Sequence, residues 1–346
     1  MSAAIILVYR IAIHGIFNVT DMSHLEYTGR KSPNQGAITL STAFISHPDC
    51  HDHDTGEGHP ENAQRLSAIE DRLLSSRISD IVRYLDAPEV TREQLLRAHT
   101  AEYLDMIDEV MPRQGYARLD PDTVISPATL QAAKRAAGSV VLAVEEVISG
   151  GVRNAFCSVR PPGHHAESDR ALGFCIYSNL AIGVKHALEE HGLKKVAVVD
   201  FDVHQANGTE DILIGDDRVL YCSIFQHPFF PYTPLPENNE RVISIPLEAS
   251  AASAEFRAAV TDHWLPALEQ FQPEMLFISA GFDAHRDDEM SYVNLTDADF
   301  RWVSEELTRV ADTFASGRIV SSLEGGYEVN SLARCVESHM RVLMGL

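Results

Sequence analysis

Asp200, Asp202 and His204 stand at alternate positions in VVDFDVHQANGTE, residues 198–210. In an extended chain alternate side chains point the same way, so two carboxylates and an imidazole would share one face. That donor set suits a divalent metal. Asp202 and His204 supply two ligands, and Asp283 in SAGFDAH (279–285) can supply a third from a distant segment. Three protein ligands leave a coordination position for water, which is the catalytic rather than the structural arrangement. Two carboxylates make the set hard enough for Fe(II) to compete with Zn(II), with Zn(II) favoured. Taken alone, the fragment reads equally well as a strand end with solvated acids and a satisfied histidine.

Proton-handling groups lie elsewhere. His164 and His165 follow RPPG (160–163), whose two prolines and glycine make a rigid, non-helical turn. Adjacent imidazoles divide proton work when their far nitrogens meet different partners: one beside an acid stays protonated, one beside an amide does not. Asp200 and Asn207 are the candidates for those partners. Tyr327, after Gly325 and Gly326, offers a phenol that can donate to a carbonyl oxygen as negative charge develops there. Singly, a Gly-His-His is more often a polar loop, and a Tyr after two glycines more often a packed aromatic.

The elements that must gather these residues are short apolar runs rich in β-branched side chains: residues 41–46, 154–159, 195–201, 219–224, 241–247, 275–280 and 318–323. Between many of them lie helix-like segments, such as 61–76, 127–151 and 177–192, the second with Pro127 near its start and Gly150 at its end. Strands alternating with helices imply a parallel sheet covered on both faces. Such sheets bind ligands beyond the carboxyl ends of their strands. Four of the runs lead directly into RPPGHH, DFDVH, GFDAH and EGGY. Their chemistry would therefore collect at one sheet edge.

Together, RPPGHHAESDRALGFC, VVDFDVHQANGTE, SAGFDAHRDD, LEGGY and the early HPDCHDHDTGEGHPENAQRLSAI resemble the histone deacetylase family, in particular its class II and bacterial amidohydrolase branch. The resemblance runs from Thr42 to Met340 in the family's order and spacing. It implies a single-domain, arginase/deacetylase-like three-layer α/β fold with a central, mostly parallel sheet of about eight strands. It implies metal ligation by Asp202, His204 and Asp283, a tandem His164 and His165 backed by Asp200 and Asn207, and a carbonyl-polarising Tyr327. It further implies a structural K⁺ held by Asp200, Ser223 and the carbonyls of Asp202, His204 and Ile224. A second K⁺ is expected around Leu213, Asp216 and Val219. Phe174 and Phe230 match the walls of an acyl-lysine tunnel, Gly173 offers its carbonyl to the substrate amide, and Met290 falls at the rim. The implied activity is zinc-dependent removal of acetyl or other acyl groups from lysine-type amines.

Two departures bear on specificity. Many relatives carry a histidine and a glycine where this chain has Gln205 and Ala206, and a proline where it has Glu289. In the family's polyamine deacetylases an acid guards the entrance, a position that falls on Met290 by spacing. An acyl-lysine peptide or protein is accordingly expected ahead of an acetylated polyamine. A two-metal ureohydrolase of the same fold would need acids at Gln205 and Ala206. A non-catalytic acyl-lysine-binding module would have no use for poised proton donors.

Composition sets outer bounds. The 346 residues carry 28 Lys+Arg against 50 Asp+Glu, a net charge of −22, which disfavours direct binding to nucleic acid or anionic membrane. Five cysteines without a C-x-x-C pair suggest neither a disulfide framework nor a cysteine metal site, so a reducing, cytoplasmic setting is expected. The apolar start is interrupted by Arg10 and His14 and reads as neither signal peptide nor membrane span. Residues 1–38 are read as an N-terminal extension of uncertain role, suited to packing on the core or on a second copy of the chain, and 39–346 as the catalytic domain.

Overall fold

The β-branched runs become a sheet. The computed structural model describes residues 41–346, which contain β1 (Thr42–Ser46), β2 (Arg83–Asp86), β3 (Ala117–Arg118), β4 (Val124–Ile125) and β5 (Asn154–Cys157). They continue with β6 (Val196–Asp200), β7 (Val219–Gln226), β8 (Val242–Leu247), β9 (Met275–Ala280) and β10 (Ile319–Leu323). Eight strands form one sheet in the order β2-β1-β5-β10-β9-β6-β7-β8, with every pairing parallel. The remaining two, β3 and β4, make a small antiparallel ribbon. The extension expected over residues 1–38 lies outside the described residues.

Burial on both faces explains why these strands read as continuous apolar runs rather than alternating ones. Every residue of β5, β6, β7, β9 and β10 is buried. Within β5 the side chains alternate between two helical layers. Asn154 donates to the Leu343 carbonyl at 2.8 Å and Phe156 meets His339 at 5.7 Å, both on the helix Val329–Leu343. Cys157 turns the other way, to Ser139 of the helix Thr129–Ile148. That makes three layers, as the resemblance implies.

All seven expected runs are strands. The eighth, β2, has no apolar run to announce it: its sequence is RYLD, and three of its four residues are exposed at the sheet edge. Each expected helix is present but one to three residues shorter at each end, at Gln64–Ser75, Thr129–Ile148 and Asn179–Glu189. Among the described residues, no helix is long and apolar enough to cross a membrane. All five cysteines are buried and unbridged.

Candidate active site

The order of the sheet assembles the site. β5, β10, β9 and β6 are consecutive neighbours at its centre, and each releases its polar residues from the same end. Backbone groups freed beyond a strand end need new partners, and here the carboxylates provide them. The strand β6 stops at Asp200, so Asp202 and His204 do not project from an extended strand as their alternation suggests. They stand in a bend stitched by carboxylates: Asp202 N–H donates to Asp200 Oδ1 at 3.0 Å, Val203 N–H to Asp283 Oδ1 at 2.9 Å, and His204 N–H to Asp202 Oδ1 at 2.9 Å. The side chains converge nevertheless.

His204 Nδ1 lies 3.0 Å from Asp202 Oδ1 and 3.2 Å from Asp283 Oδ2. One donor atom from each of the three residues falls within 4.8 Å of the others. Asp283 Oδ2 is buried and receives no hydrogen bond. Two glycines make the room: a Cβ at Gly281 would sit 2.0 Å from Asp202 Oδ2, and one at Gly325 would sit 2.0 Å from Asp283 Oδ2. Burial and the nearby Asp202 charge push the Asp283 carboxyl up to about 6. Two buried carboxylates, an imidazole and an orphaned oxygen in a cradle cleared of Cβ atoms fit a divalent cation.

The tandem histidines are differentiated by their partners. His164 Nδ1 donates to Asp200 Oδ2 at 3.2 Å. Burial opposes its charge, but the carboxylates of Asp202 and Asp200 outweigh burial and raise its pKa to about 10. Asn207 uses its amide nitrogen on the His165 carbonyl and on Glu167, which leaves Asn207 Oδ1 to accept from His165 Nδ1 at 2.8 Å. His165 therefore carries its proton on Nδ1 and keeps Nε2 bare. Burial and the charges of His164 and His204 hold its pKa well below the usual histidine value.

A cavity of about 480 Å³ opens over this floor, lined by His165, His204, Gly173, Phe174, Phe230 and Tyr327. Phe229 and Tyr292 add to its walls, and both Glu289 and Met290 stand at it, with Asp122. Phe174 holds a left-handed backbone, φ 68°, fixed by its N–H on Thr123 Oγ1 at 3.0 Å, and meets Tyr327 edge-on at 5.9 Å. Burial, with the negative charges of Asp283 and Asp202, raises the Tyr327 phenol well above its usual pKa, so it stays a donor.

The two cation positions implied by the resemblance differ in kind. Ser223, paired with Asp200 in the β6–β7 register, has a buried hydroxyl without a partner, which fits a cation beside Asp200 and Ile224. Around Leu213, Asp216 and Val219 the groups are already engaged. Asp216 N–H donates to the Leu213 carbonyl and Val219 N–H to the Asp216 carbonyl, while Arg218 and Lys185 hold the Asp216 carboxylate.

Several residues without an assigned role in the sequence hold the site. Glu324, fully buried, accepts the N–H groups of Gly163 and His164 through one oxygen, and burial raises its carboxyl to about 7 against the charge of His164. Arg65 donates to the carbonyls of Gly326 and Glu324 and lies over the Tyr327 ring at 5.1 Å. Glu61 pairs with both Arg65 and Arg160. Asp288 accepts the N–H of Tyr327 at 2.6 Å. For Glu324, Arg160 and Glu61 the signal in the sequence was charge inside an apolar or proline-bound stretch, whereas Arg65 and Asp288 lie in polar stretches that give none.

A parallel sheet with titratable groups crowded at the ends of its central strands is the architecture of an α/β enzyme. The chain belongs to the histone deacetylase family, whose histone deacetylase domain matches residues 59–343. It is 32% identical to the histone deacetylase-like amidohydrolase of Pseudomonas aeruginosa, over 84% of this chain and 78% of that protein. Type-2 histone deacetylase 2 of Dictyostelium discoideum is 33% identical over 88% of this chain, which spans 21% of that longer protein. The crystal structure of the HDA15 HD domain matches with a TM-score of 0.83 at 31% identity, covering 89% of each chain. Membership makes this a hydrolytic enzyme of the deacetylase and amidohydrolase type.

Proposed function

We propose that this chain is a zinc-dependent deacylase that hydrolyses the amide between an acetyl or other acyl group and a lysine-type amine. The observation that carries the proposal is the meeting of Asp202, His204 and Asp283 beneath an apolar cavity that also receives His165 and Tyr327. Asp202, His204 and Asp283 would hold the metal, whose chemistry is Lewis acidity toward the carbonyl and a lowered pKa for water. Aromatic walls from Phe174 and Phe230 suit an aliphatic chain, with the Gly173 carbonyl beside them for the substrate N–H.

His165, which lines the cavity and whose Nε2 is unprotonated, takes a proton from the attacking water as its oxygen bonds to the carbonyl carbon. His164 remains protonated beside Asp200 and supplies positive charge rather than a base. Tyr327 donates to the oxygen on which negative charge develops. When the C–N bond breaks, the proton held on His165 passes to the leaving nitrogen. The products are a free amine and a carboxylate. Asp200 and Ser223 are the residues suited to a structural K⁺. The set Leu213, Asp216 and Val219 would have to bind a cation through carbonyls alone.

A second reading, hydrolysis of acetylated polyamines, is favoured by the carboxylates of Glu289 and Asp122 at the cavity, which suit a cationic chain. Purified protein should contain stoichiometric zinc and release acetate from an acetyl-lysine peptide, lose activity on chelation and regain it with zinc. Zinc without release from any acyl-lysine peptide or acetylated polyamine would leave only a binding module and sink the proposal.

A further inference from the structure

Gln205 adjoins His204 but serves a different part of the molecule. Its side chain is buried, and its amide nitrogen donates to Glu210 Oε2 at 2.8 Å and to the Pro234 carbonyl at 3.1 Å. Glu210 is fixed in turn, since its other oxygen accepts from the Tyr221 hydroxyl of β7 at 3.3 Å. The carboxamide is thus anchored through Glu210 to the sheet, with one donor left for the segment HPFFPYTPLP, residues 227–236.

Past His227, whose N–H donates to the Leu247 carbonyl at 2.8 Å, that segment has little else to hold it. Pro228, Pro231, Pro234 and Pro236 have no N–H to donate. Its internal bond runs from Tyr232 N–H to the Phe229 carbonyl at 3.0 Å. Among the described residues, the bond from Gln205 to Pro234 is the one hydrogen bond tying residues 228–236 to the rest of the chain. Yet this segment is a wall of the cavity. Phe229, Phe230 and Tyr232 line it, Phe230 meets His165 edge-on at 5.1 Å, and Phe229 stacks on His204 at 5.5 Å.

We propose that Gln205 is a positioning residue that sets acyl-chain selectivity, pinning the Pro234 carbonyl and with it the aromatic wall of the cavity. The proposal rests on the deacylase reading above. A wall tied at one point closes around a short acyl group. Released, it loses contacts to that group and admits a longer one. Gln205 touches neither the reacting atoms nor the proton-transfer groups, so its loss acts on binding and selectivity more than on turnover.

The test compares the full chain with Gln205→Ala and Glu210→Gln on one peptide carrying either acetyl-lysine or hexanoyl-lysine. Gln205→Ala should raise KM for the acetyl substrate about tenfold with kcat within about threefold. The kcat/KM ratio should move toward hexanoyl by about fivefold or more. Glu210→Gln, whose amide oxygen still accepts from Gln205, should keep the original ratio. Amide hydrogen exchange in residues 229–235 should quicken in Gln205→Ala and not in Glu210→Gln. An unchanged ratio in Gln205→Ala, with or without a fall in kcat, overturns the selectivity role, and unchanged exchange overturns the tether. Should the unsubstituted chain hydrolyse neither peptide, the deacylase reading fails instead, and exchange still decides the tether.

Discussion

At the scale of single residues, the site depends on which nitrogen or oxygen is left free. On the proposed reading His165 serves as the base because Asn207 Oδ1 accepts its Nδ1 proton, and His164 holds positive charge because Asp202 and Asp200 outweigh the cost of its burial. Tyr327 is a donor because its buried phenol resists ionisation. On the proposed reaction, Tyr327→Phe removes one oxyanion donor and should cut kcat by roughly 10²- to 10³-fold while metal content stays unchanged. Acetate release and zinc analysis on the same preparation decide this. Near-full turnover in the variant would remove Tyr327 from the mechanism.

At the scale of elements, a buried charge network locks the loops that carry these groups. Glu61 is fully buried between Arg160, which leads into the histidine loop, and Arg65, which grips the Gly325–Tyr327 turn. His53 Nε2 lies a further 3.4 Å away. Burial alone would raise the Glu61 carboxyl, yet Arg160 and His53 hold it well below its usual value. Removing one partner of such a network leaves uncompensated buried charge, so Glu61→Gln should cost about 3–5 kcal/mol of stability. Urea unfolding is the measurement. A loss under about 1 kcal/mol, the range of exposed pairs, would show that the network is solvated.

At the scale of the whole molecule, acid stability is governed by buried histidines as well as by carboxylates. His99 has a fixed neutral form: Nδ1 donates to the Glu167 carbonyl and Nε2 accepts the Ser178 N–H, each at 3.0 Å. Burial lowers its pKa to about 4, and does the same to His339. The unfolded chain protonates these rings first, near pH 6.5, so their contribution is whole above that pH. It is lost as pH falls toward 4, by about 3 kcal/mol for each ring. Urea midpoints at pH 7, 5.5 and 4 should fall in that order, and less steeply in His99→Gln. Parallel profiles for the two proteins would contradict the assignment.

Much of this was legible in the sequence because chemistry and strand signals coincide locally. A buried parallel strand must be apolar along its whole length, so seven of the eight sheet strands declared themselves, four of them with polar motifs at the end where a crevice forms. The edge strand β2, exposed and only four residues long, carried no such signal. Residue types likewise singled out Asp202, His204, Asp283, the paired histidines and Tyr327, which the structure brings to one place. What the tertiary structure alone decided is how far-apart segments meet. The glycine cradle around Asp202 and Asp283 and the grip of Glu324 on the histidine loop arise between strands adjacent in space rather than in sequence, and the bend after Asp200 and the tether from Gln205 to Pro234 depend on side-chain partners that periodicity does not reveal. Periodicity records which face a side chain takes, but the partner waiting there is set by sheet order and packing.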